Sequence, residues 1–455
     1  MNLRSTVKKV IPRDTFRKIE PYGHLAEAVL QNTRYGFPAR GLKVIGVTGT
    51  DGKTSTCTLI TAMLRDSGYK VAMMTTISVD YGDGKGARPN PSRMTTMGVG
   101  SLLSKIKKIK ASGAEWLVLE TTSHALAQHR VWAVPYSVAV MTNLGHEHLD
   151  YHGTFERYRA AKRMLFTQTD RNHQGLRVGV ANADDPNGSL FASATTHPLL
   201  YGVKHGDLRA RDIKLTPSGS TYTATIGDDT YHITCHLPGS FNVYNSLAAV
   251  GVGRALGLTP KQIEQGIASL DSVEGRMTRV DEGQDFAVIV DYAHTPESFE
   301  KLFKEVRTLT KGRLIVVFGS AGRRDEAKRA MQGRVAGRDA DVVIVTEEDD
   351  RDEDGQAILE QIAAGAKENG KTQGKDLFLV HQREDAVQAA VAMAKKGDIV
   401  LLLGKGHEKS ILTNGPRAAE LHHLQQDDTN PERVVRRDYD EVTVARRTLK
   451  ARHKK

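Results

Sequence analysis

The chain has 455 residues, 39% of them apolar and 26% charged, with a formal net charge of +10. Its length exceeds what one hydrophobic core serves, so more than one domain is expected, and no apolar run approaches the roughly 18 residues a spanning helix needs. The basic balance, concentrated partly in the tail Arg446 to Lys455, lacks the aromatic interleaving of a nucleic-acid surface and fits anionic small substrates.

The opening stretch MNLRSTVKKVIPRDTFRKIE has no apolar h-region, so a cytoplasmic protein is expected. Only two cysteines occur, Cys57 and Cys235, too few for a disulfide framework or a Cys-rich zinc site. Residues 1–40 read as a short helical segment, with His24 to Val29 on a helix. At Lys43 the run KVIGVTGT feeds a Gly-rich turn and then a helical pattern. Apolar runs recur at Lys70 to Met74, Trp116 to Glu120, Ser137 to Met141 and Arg177 to Ala181, which predicts a mainly parallel sheet covered by helices. Between Leu199 and Leu237 the alternating runs TYTATI and TYHITCHL predict an antiparallel flap on the same domain. A second series of strands and helices begins near Asp285 and ends on DIVLLLG, as expected of a Rossmann-like domain. The expected architecture is α/β. It comprises a P-loop central domain over 41–278 and a C-terminal Rossmann-like domain over 279–455, with the joint near Arg276 to Asp281.

The strongest local signal is Thr48-Gly49-Thr50-Asp51-Gly52-Lys53-Thr54-Ser55, set where a strand feeds a helix. Glycines let backbone N–H groups close on phosphate, Lys53 neutralises phosphate oxygens, and the Thr54 hydroxyl suits magnesium. A plain Gly-rich turn would not need the lysine. Glu120 closes the strand EWLVLE, where a carboxylate can reach a metal beside that loop, although such an acid alone is more often solvated. His146, His148 and His152 crowd a predicted loop without a tetrahedral zinc spacing.

TGTDGKTS resembles the P-loop variant of the Mur ligase family, and that family's later motifs follow in order. ETTSHA from Glu120 is similar to E-x-S-S-H and carries Ser123 as a substrate contact, with Thr122 at the first serine. TNLGHEHLDYHG from Thr142 resembles T-N-L-x-x-D-H-L-D-Y-H-G, with Glu147 where the family has Asp. The resemblance implies that His148 binds the second of two magnesium ions. It also implies that Lys162, in YRAAKRMLF, reacts with carbon dioxide to give a carbamate shared by both ions, whereas a solvated helix lysine is the plain alternative. Asn182 to Pro186 matches N-x-D-D, and the segment from Gly239 to Ala249 sets Asn245 toward the nucleotide. Arg276 is implied to reach the phosphates, and Asp291 and His294 of D-Y-A-H-T-P to lie near the ribose. FGSAGRRDEAKR resembles F-G-C-G-G-D-R-D-x-x-K-R, with Arg323 in place of Asp ahead of Arg324, Asp325, Lys328 and Arg329.

Gly404 to Glu408 reads G-K-G-H-E, which with D-Y-A-H-T-P is similar to the MurE branch, the UDP-N-acetylmuramyl-tripeptide synthetases. That branch carries a UDP-binding domain ahead of the P-loop, where this chain has a helical stub, so a differently gripped acceptor is expected. Thr95 and Thr96, after the Pro-rich stretch from Arg88, are the implied muramyl-peptide contacts. The D-N-P-R position reads Glu348-Asp349-Asp350-Arg351. Arg351 offers a fork to a distal carboxylate, which favours meso-diaminopimelate together with Gly404 and Glu408; Asp349 and Asp350 favour a cationic side chain or pair with Arg351.

The implied activity is that of a monomeric, ATP- and magnesium-dependent amide ligase joining an amino acid to a muramyl-dipeptide-type acceptor through an acyl phosphate. Domain closure around the joint would assemble the site. Two alternatives are a folylpolyglutamate-synthase-like or other ligase on a non-UDP acceptor, and a nucleotide-binding partner subunit without activity of its own.

Overall fold

A computed structural model describes residues 13–453 except 91–94, 146, 217, 423–427 and 429. His146, most of the Pro-rich stretch and the last two lysines therefore lie outside the described residues. The chain divides into two compact units, with the break between Asp271 and Ser272.

In the first unit, α1 (Arg13–Tyr35) precedes β1 (Lys43–Thr48) and α2 (Lys53–Asp66). Then come β2 (Val71–Met74), β3 (Ser78–Asp80), β4 (Arg88–Pro89), α3 (Val99–Ala111), β5 (Trp116–Glu120), α4 (Ser123–Ala127) and β6 (Tyr136–Met141). These are followed by α5 (Leu149–His152), α6 (Phe155–Arg171), β7 (Val178–Asn182), α7 (Gly188–Ala192) and β8 (His197–Gly202). The unit closes with β9 (Leu208–Thr216), β10 (Gly219–Ile226), β11 (Asp229–Cys235), α8 (Phe241–Ala255) and α9 (Pro260–Ala268).

All its strands join one sheet, in the order β11-β10-β9-β8-β7-β6-β1-β5-β2-β3-β4. The central strands are parallel and buried on both faces, which is why WLVLE and YSVAVM read as unbroken apolar runs rather than alternating ones. The expected flap is the antiparallel pair β10 and β11, with Tyr222 opposite Ile233. Here the alternation is real: Tyr231, Ile233 and Cys235 point inward and their neighbours outward. Cys57 and Cys235 are buried and unpaired.

Register places the chemistry. Val47 lies opposite Glu120 on one side of β1, and Thr48 lies opposite Met141 on the other. The loops that follow β1, β5 and β6 thus emerge side by side at the carboxyl edge, where open α/β sheets hold ligands.

The second unit contains β12 (Thr278–Val280), β13 (Ala287–Asp291), α10 (Pro296–Leu309), β14 (Leu314–Phe318), α11 (Ala327–Asp339) and β15 (Val342–Val345). It continues with α12 (Gly355–Glu368), β16 (Leu377–Leu379), α13 (Arg383–Met393) and β17 (Ile399–Leu403). Last are β18 (Ser410–Asn414), α14 (Ala418–Leu421), β19 (Val434–Asp438) and α15 (Glu441–His453). Its main sheet runs β12-β13-β17-β14-β15-β16, parallel apart from β12, and β18 and β19 form a separate antiparallel pair. Two apolar clusters, one around Phe299 and Phe303 and one around Val387 and Leu449, are built on β13, β14, β15 and β17. β13 pairs with β17 so that Asp291 faces Leu403, which sets the segment from Gly404 beside Asp291 to His294.

Candidate active site

The loop after β1 turns on two glycines with left-handed backbone, Gly49 at φ 151° and Gly52 at φ 80°. Space forbids any side chain there. A Cβ on Gly49 would stand 1.8 Å from the Thr142 hydroxyl, and one on Gly52 would stand 2.3 Å from Asn245 Oδ1. The loop is pinned to the segment after β6, since Thr50 N–H donates to the Asn143 carbonyl at 2.9 Å and Asp51 N–H donates to Asn143 Oδ1 at 2.9 Å. Thr142 Oγ1 donates to the Asp51 carbonyl at 2.6 Å. Asn245 lies against the same loop from α8, accepting from Thr56 Oγ1 at 3.3 Å.

Four of the five expected catalytic or metal-binding side chains converge on this loop. Lys53 Nζ donates to the carbonyls of Gly49 (3.0 Å) and Thr50 (2.7 Å). Thr54 Oγ1 donates to Glu120 Oε2 at 2.9 Å. Lys162, 2% exposed on α6, donates to the Gly49 carbonyl at 2.5 Å. Burial pushes the Lys162 amine well below the ordinary lysine range, the nearby Lys53 charge adds to that, and Glu147, Asp51 and Glu120 pull the other way. Its helix is fixed by Thr154, whose side chain accepts from Arg157 N–H as an N-cap.

His148 connects to this group through Glu147, which accepts from the Tyr158 hydroxyl at 3.5 Å. It has a left-handed backbone (φ 56°), its Nε2 lies 3.6 Å from Glu147 Oε2, and its ring packs edge-on against His124 with centroids 4.7 Å apart. The predicted histidine loop contains a helical turn, α5, and His152 on it meets Ser123 Oγ at 3.0 Å.

Glu120 is 1% exposed and also accepts from Thr76 N–H and Thr76 Oγ1, each at 2.9 Å. Thr76 in turn bonds Thr95 Oγ1 at 2.9 Å, and Thr96 Oγ1 donates to the Glu120 carbonyl at 3.1 Å. Both expected acceptor contacts therefore connect to Glu120, Thr95 to its carboxylate through Thr76 and Thr96 to its backbone carbonyl. Sequence reasoning missed Thr76, which follows β2 without a motif. It also missed Tyr158, whose hydroxyl bonds Thr50 Oγ1 at 3.0 Å and whose ring lies under Lys162 Nζ. Its one signal was its place one helical turn before Lys162.

In the second unit Asp291 accepts from Met277 N–H and Ala293 N–H, each at 2.8 Å. Arg276 stacks its guanidinium over Tyr292, 5.1 Å from the ring centroid, and its Nε is buried without a hydrogen-bond partner among the described residues. His294 is held by the Tyr292 carbonyl, 2.9 Å from Nδ1, and burial lowers its pKa. His407 is pushed down to about 3 by burial and by Arg276, so its ring is neutral.

The four residues at the D-N-P-R position take different partners, although Arg351 also lies 3.9 Å from the Asp349 carboxylate. Arg351 Nε reaches Asp428 Oδ1 at 3.1 Å and its Nη1 donates to the Gly322 carbonyl at 2.8 Å. Asp349 binds Lys405 Nζ at 3.1 Å, and Lys405 also takes Glu408 Oε2 at 2.6 Å. Asp350 turns to His381, Oδ2 to Nε2 at 2.8 Å, and burial raises its carboxyl pKa. Glu348 is buried with Oε2 unpartnered among the described residues, beside Gly404, where a Cβ would stand 2.7 Å from that oxygen, and burial pushes its pKa up to about 7. Thus Arg351 and Asp349 share one neighbourhood with Gly404 and Glu408, while Asp350 faces away from it. Asp428, many residues beyond Arg351, carried no local signal.

Residues 47–253 match the family model of the Mur ligase middle domain, and residues 275–406 match that of the Mur ligase, glutamate ligase domain. The chain is 42% identical over 404 residues to a UDP-N-acetylmuramyl-tripeptide synthetase of Roseiflexus sp. (strain RS-1), covering 86% of this chain and 79% of that one. It is 40% identical over 394 residues to a UDP-N-acetylmuramoyl-L-alanyl-D-glutamate--2,6-diaminopimelate ligase of Geobacillus thermodenitrificans (strain NG80-2), again over 86% and 79%. A solved ligase of that same name superposes with a TM-score of 0.63 at 29% identity, covering 91% of this chain and 79% of the other. A Mycobacterium tuberculosis folylpolyglutamate synthase gives the same TM-score at 17% identity, over 84% and 92%, a likeness of fold alone.

Proposed function

Since the chain belongs to the Mur ligase family and is an ATP-dependent amide ligase of peptidoglycan precursor synthesis, we propose that it adds meso-diaminopimelate to a muramyl dipeptide acceptor. The observation that carries the ATP chemistry is the buried Thr54 and Glu120 pair, at 2.9 Å, beneath the loop that holds Lys53. A hydroxyl and a carboxylate are hard oxygen donors of the kind magnesium takes, and the side-chain-free surfaces of Gly49 and Gly52 leave the room a phosphate needs. Thr54, Glu120, His148 and Lys162 would hold the metal. Bound magnesium screens phosphate charge against an incoming anion.

Lys53 supplies a fixed positive charge where negative charge accumulates during transfer. An acceptor carboxylate oxygen attacks the γ-phosphorus, the bond to the bridging oxygen breaks, and ADP leaves with that electron pair. The amino group then attacks the acyl phosphate carbon, inorganic phosphate departs, and the amine proton passes to solvent. Thr76, Thr95 and Thr96 tie the acceptor side to Glu120, so the attacking carboxylate is oriented by the network that shapes the metal pocket. The depressed pKa of Lys162 supports carbamylation, because only the neutral amine adds to carbon dioxide, forming an N–C bond and releasing a proton.

The choice of diaminopimelate is supported by the relatives' names and by Arg351, whose guanidinium suits a distal carboxylate. Glu348, with a buried oxygen still to be satisfied, suits a distal ammonium. The test is ADP release with muramyl dipeptide acceptors, with and without UDP, offered diaminopimelate, lysine, ornithine, or folate with glutamate. Turnover is expected with diaminopimelate. A preference for lysine overturns the amino-acid assignment, and turnover of folate overturns the acceptor class.

A further inference from the structure

Beyond that reaction, the second unit carries a group of side chains that no step of it uses. Glu347 leaves the end of β15, Asp350 follows three residues later, and His381 follows β16, the neighbouring parallel strand. Their ligand atoms lie within 4.8 Å of one another and line a pocket of about 400 Å³ with Asp354, Gln382 and Arg437. We propose that Glu347, Asp350 and His381 form a binding site for a first-row divalent cation of the zinc or manganese type.

Each carboxylate has one oxygen engaged and the other buried. Glu347 is 1% exposed: its Oε1 is held by Arg437 Nη2 at 2.5 Å and by Arg383 N–H at 3.0 Å, while its Oε2 is buried without a hydrogen-bond partner among the described residues. Asp350 is 3% exposed: its Oδ2 meets His381 Nε2, while its Oδ1 is buried without a hydrogen-bond partner among the described residues. Two buried acidic oxygens with no donor among the described residues carry an uncompensated desolvation penalty, larger for a charged group than for a neutral one. Glu347 has its sister oxygen anchored by groups outside the set, which is how outer partners aim a ligating carboxylate, whereas Asp350 Oδ2 is held by His381, itself one of the proposed ligands. Arg437 balances Glu347, and a cation held by His381 would take over from the shared proton the balancing of Asp350.

The chemistry of the set selects the ion. Two carboxylates and one imidazole suit zinc or manganese, whereas magnesium prefers oxygen donors alone. Loading replaces the proton shared by His381 Nε2 and Asp350, and pocket water completes the shell. The site joins the loop after β15 to the loop after β16. Through Asp350 it fixes the backbone next to Arg351.

Untagged full-length protein is titrated with cobalt(II), a coloured stand-in for zinc, in excess magnesium. Wild type is expected to bind one equivalent more, or the same equivalent at least tenfold more tightly, than His381→Gln and Asp350→Asn. Both variants are checked for folding by circular dichroism. Equal binding by wild type and a folded variant overturns the site. X-ray absorption on the wild type reads the donor set without any variant. One nitrogen among oxygens at that equivalent is expected, and an all-oxygen shell, or no bound equivalent, overturns it.

Discussion

Replacing Glu120 by Gln separates the structural role of this side chain from its chemical one. Its Oε2 accepts from Thr54 Oγ1 and Thr76 N–H, and its Oε1 accepts from Thr76 Oγ1. Glutamine keeps the volume and one carbonyl oxygen. With that oxygen in the place of Oε2, both donors keep an acceptor, and the new amide faces Thr76 Oγ1, which can turn its proton toward Thr95. What is lost is charge assistance in two bonds, about 1 kcal/mol each, or about 2 kcal/mol of stability. The loss to catalysis is larger, because a neutral amide no longer balances a divalent cation: at least about a hundredfold in turnover, or about 2.7 kcal/mol. Trp116 and Trp132 are the chain's only two tryptophans and both lie in the first unit, so their fluorescence in urea follows that unit alone. ADP release measured where both proteins are fully folded gives the second number. Near-normal release, or a loss that merely tracks the unfolded fraction, would refute the assignment of Glu120 to the metal pocket.

Lys162→Ala is expected to abolish most ADP release, and depletion of bicarbonate to slow the wild type without slowing the variant's residue of activity further; wild-type rates indifferent to bicarbonate would count against a carbamate. Arg351→Lys keeps the charge but loses the fork, so the apparent KM for diaminopimelate should rise at least about tenfold with lysine use unchanged, and an unaltered KM removes Arg351 from the amino-acid site. Glu348 has a folded-state pKa raised from 4.5 to about 7, so the folded form binds the extra proton and is favoured at low pH. Its contribution is lost as pH rises from about 4.5 through about 7, by up to about 3 kcal/mol. Measured against Glu348→Gln, wild-type stability should therefore fall across that window, and parallel melting profiles would refute the raised pKa.

The nucleotide side of the site was legible in the sequence because its residues sit at strand ends. A parallel strand buried on both faces reads as an apolar run, so Lys53, Glu120 and Thr142 could be placed before any coordinates. Lys162 was placed only by its register within a resembling motif, since a helix lysine looks like any solvated one. The partners were not legible. Thr76, Tyr158 and Asp428 meet their targets through tertiary contacts that leave no periodicity, and the hairpin of β18 and β19 was missed because SILTN and VVRRD are short and mixed in polarity. Asp349 and Asp350 looked like one acidic loop, yet adjacent backbone positions aim them at Lys405 and His381 respectively.

Cys57 lies one turn into α2, fully buried, and burial together with the Glu120 charge raises its thiol pKa well above the ordinary value. A thiol in that state is nearly inert to alkylating reagents while the helix stays in place. Its rate of labelling therefore measures how often the phosphate-loop helix opens, and Cys235, on β11 at the far edge of the same sheet, clocks the opening of that edge. Two rates from one mass spectrum would then tell whether the nucleotide pocket breathes by itself or only when the whole sheet comes apart.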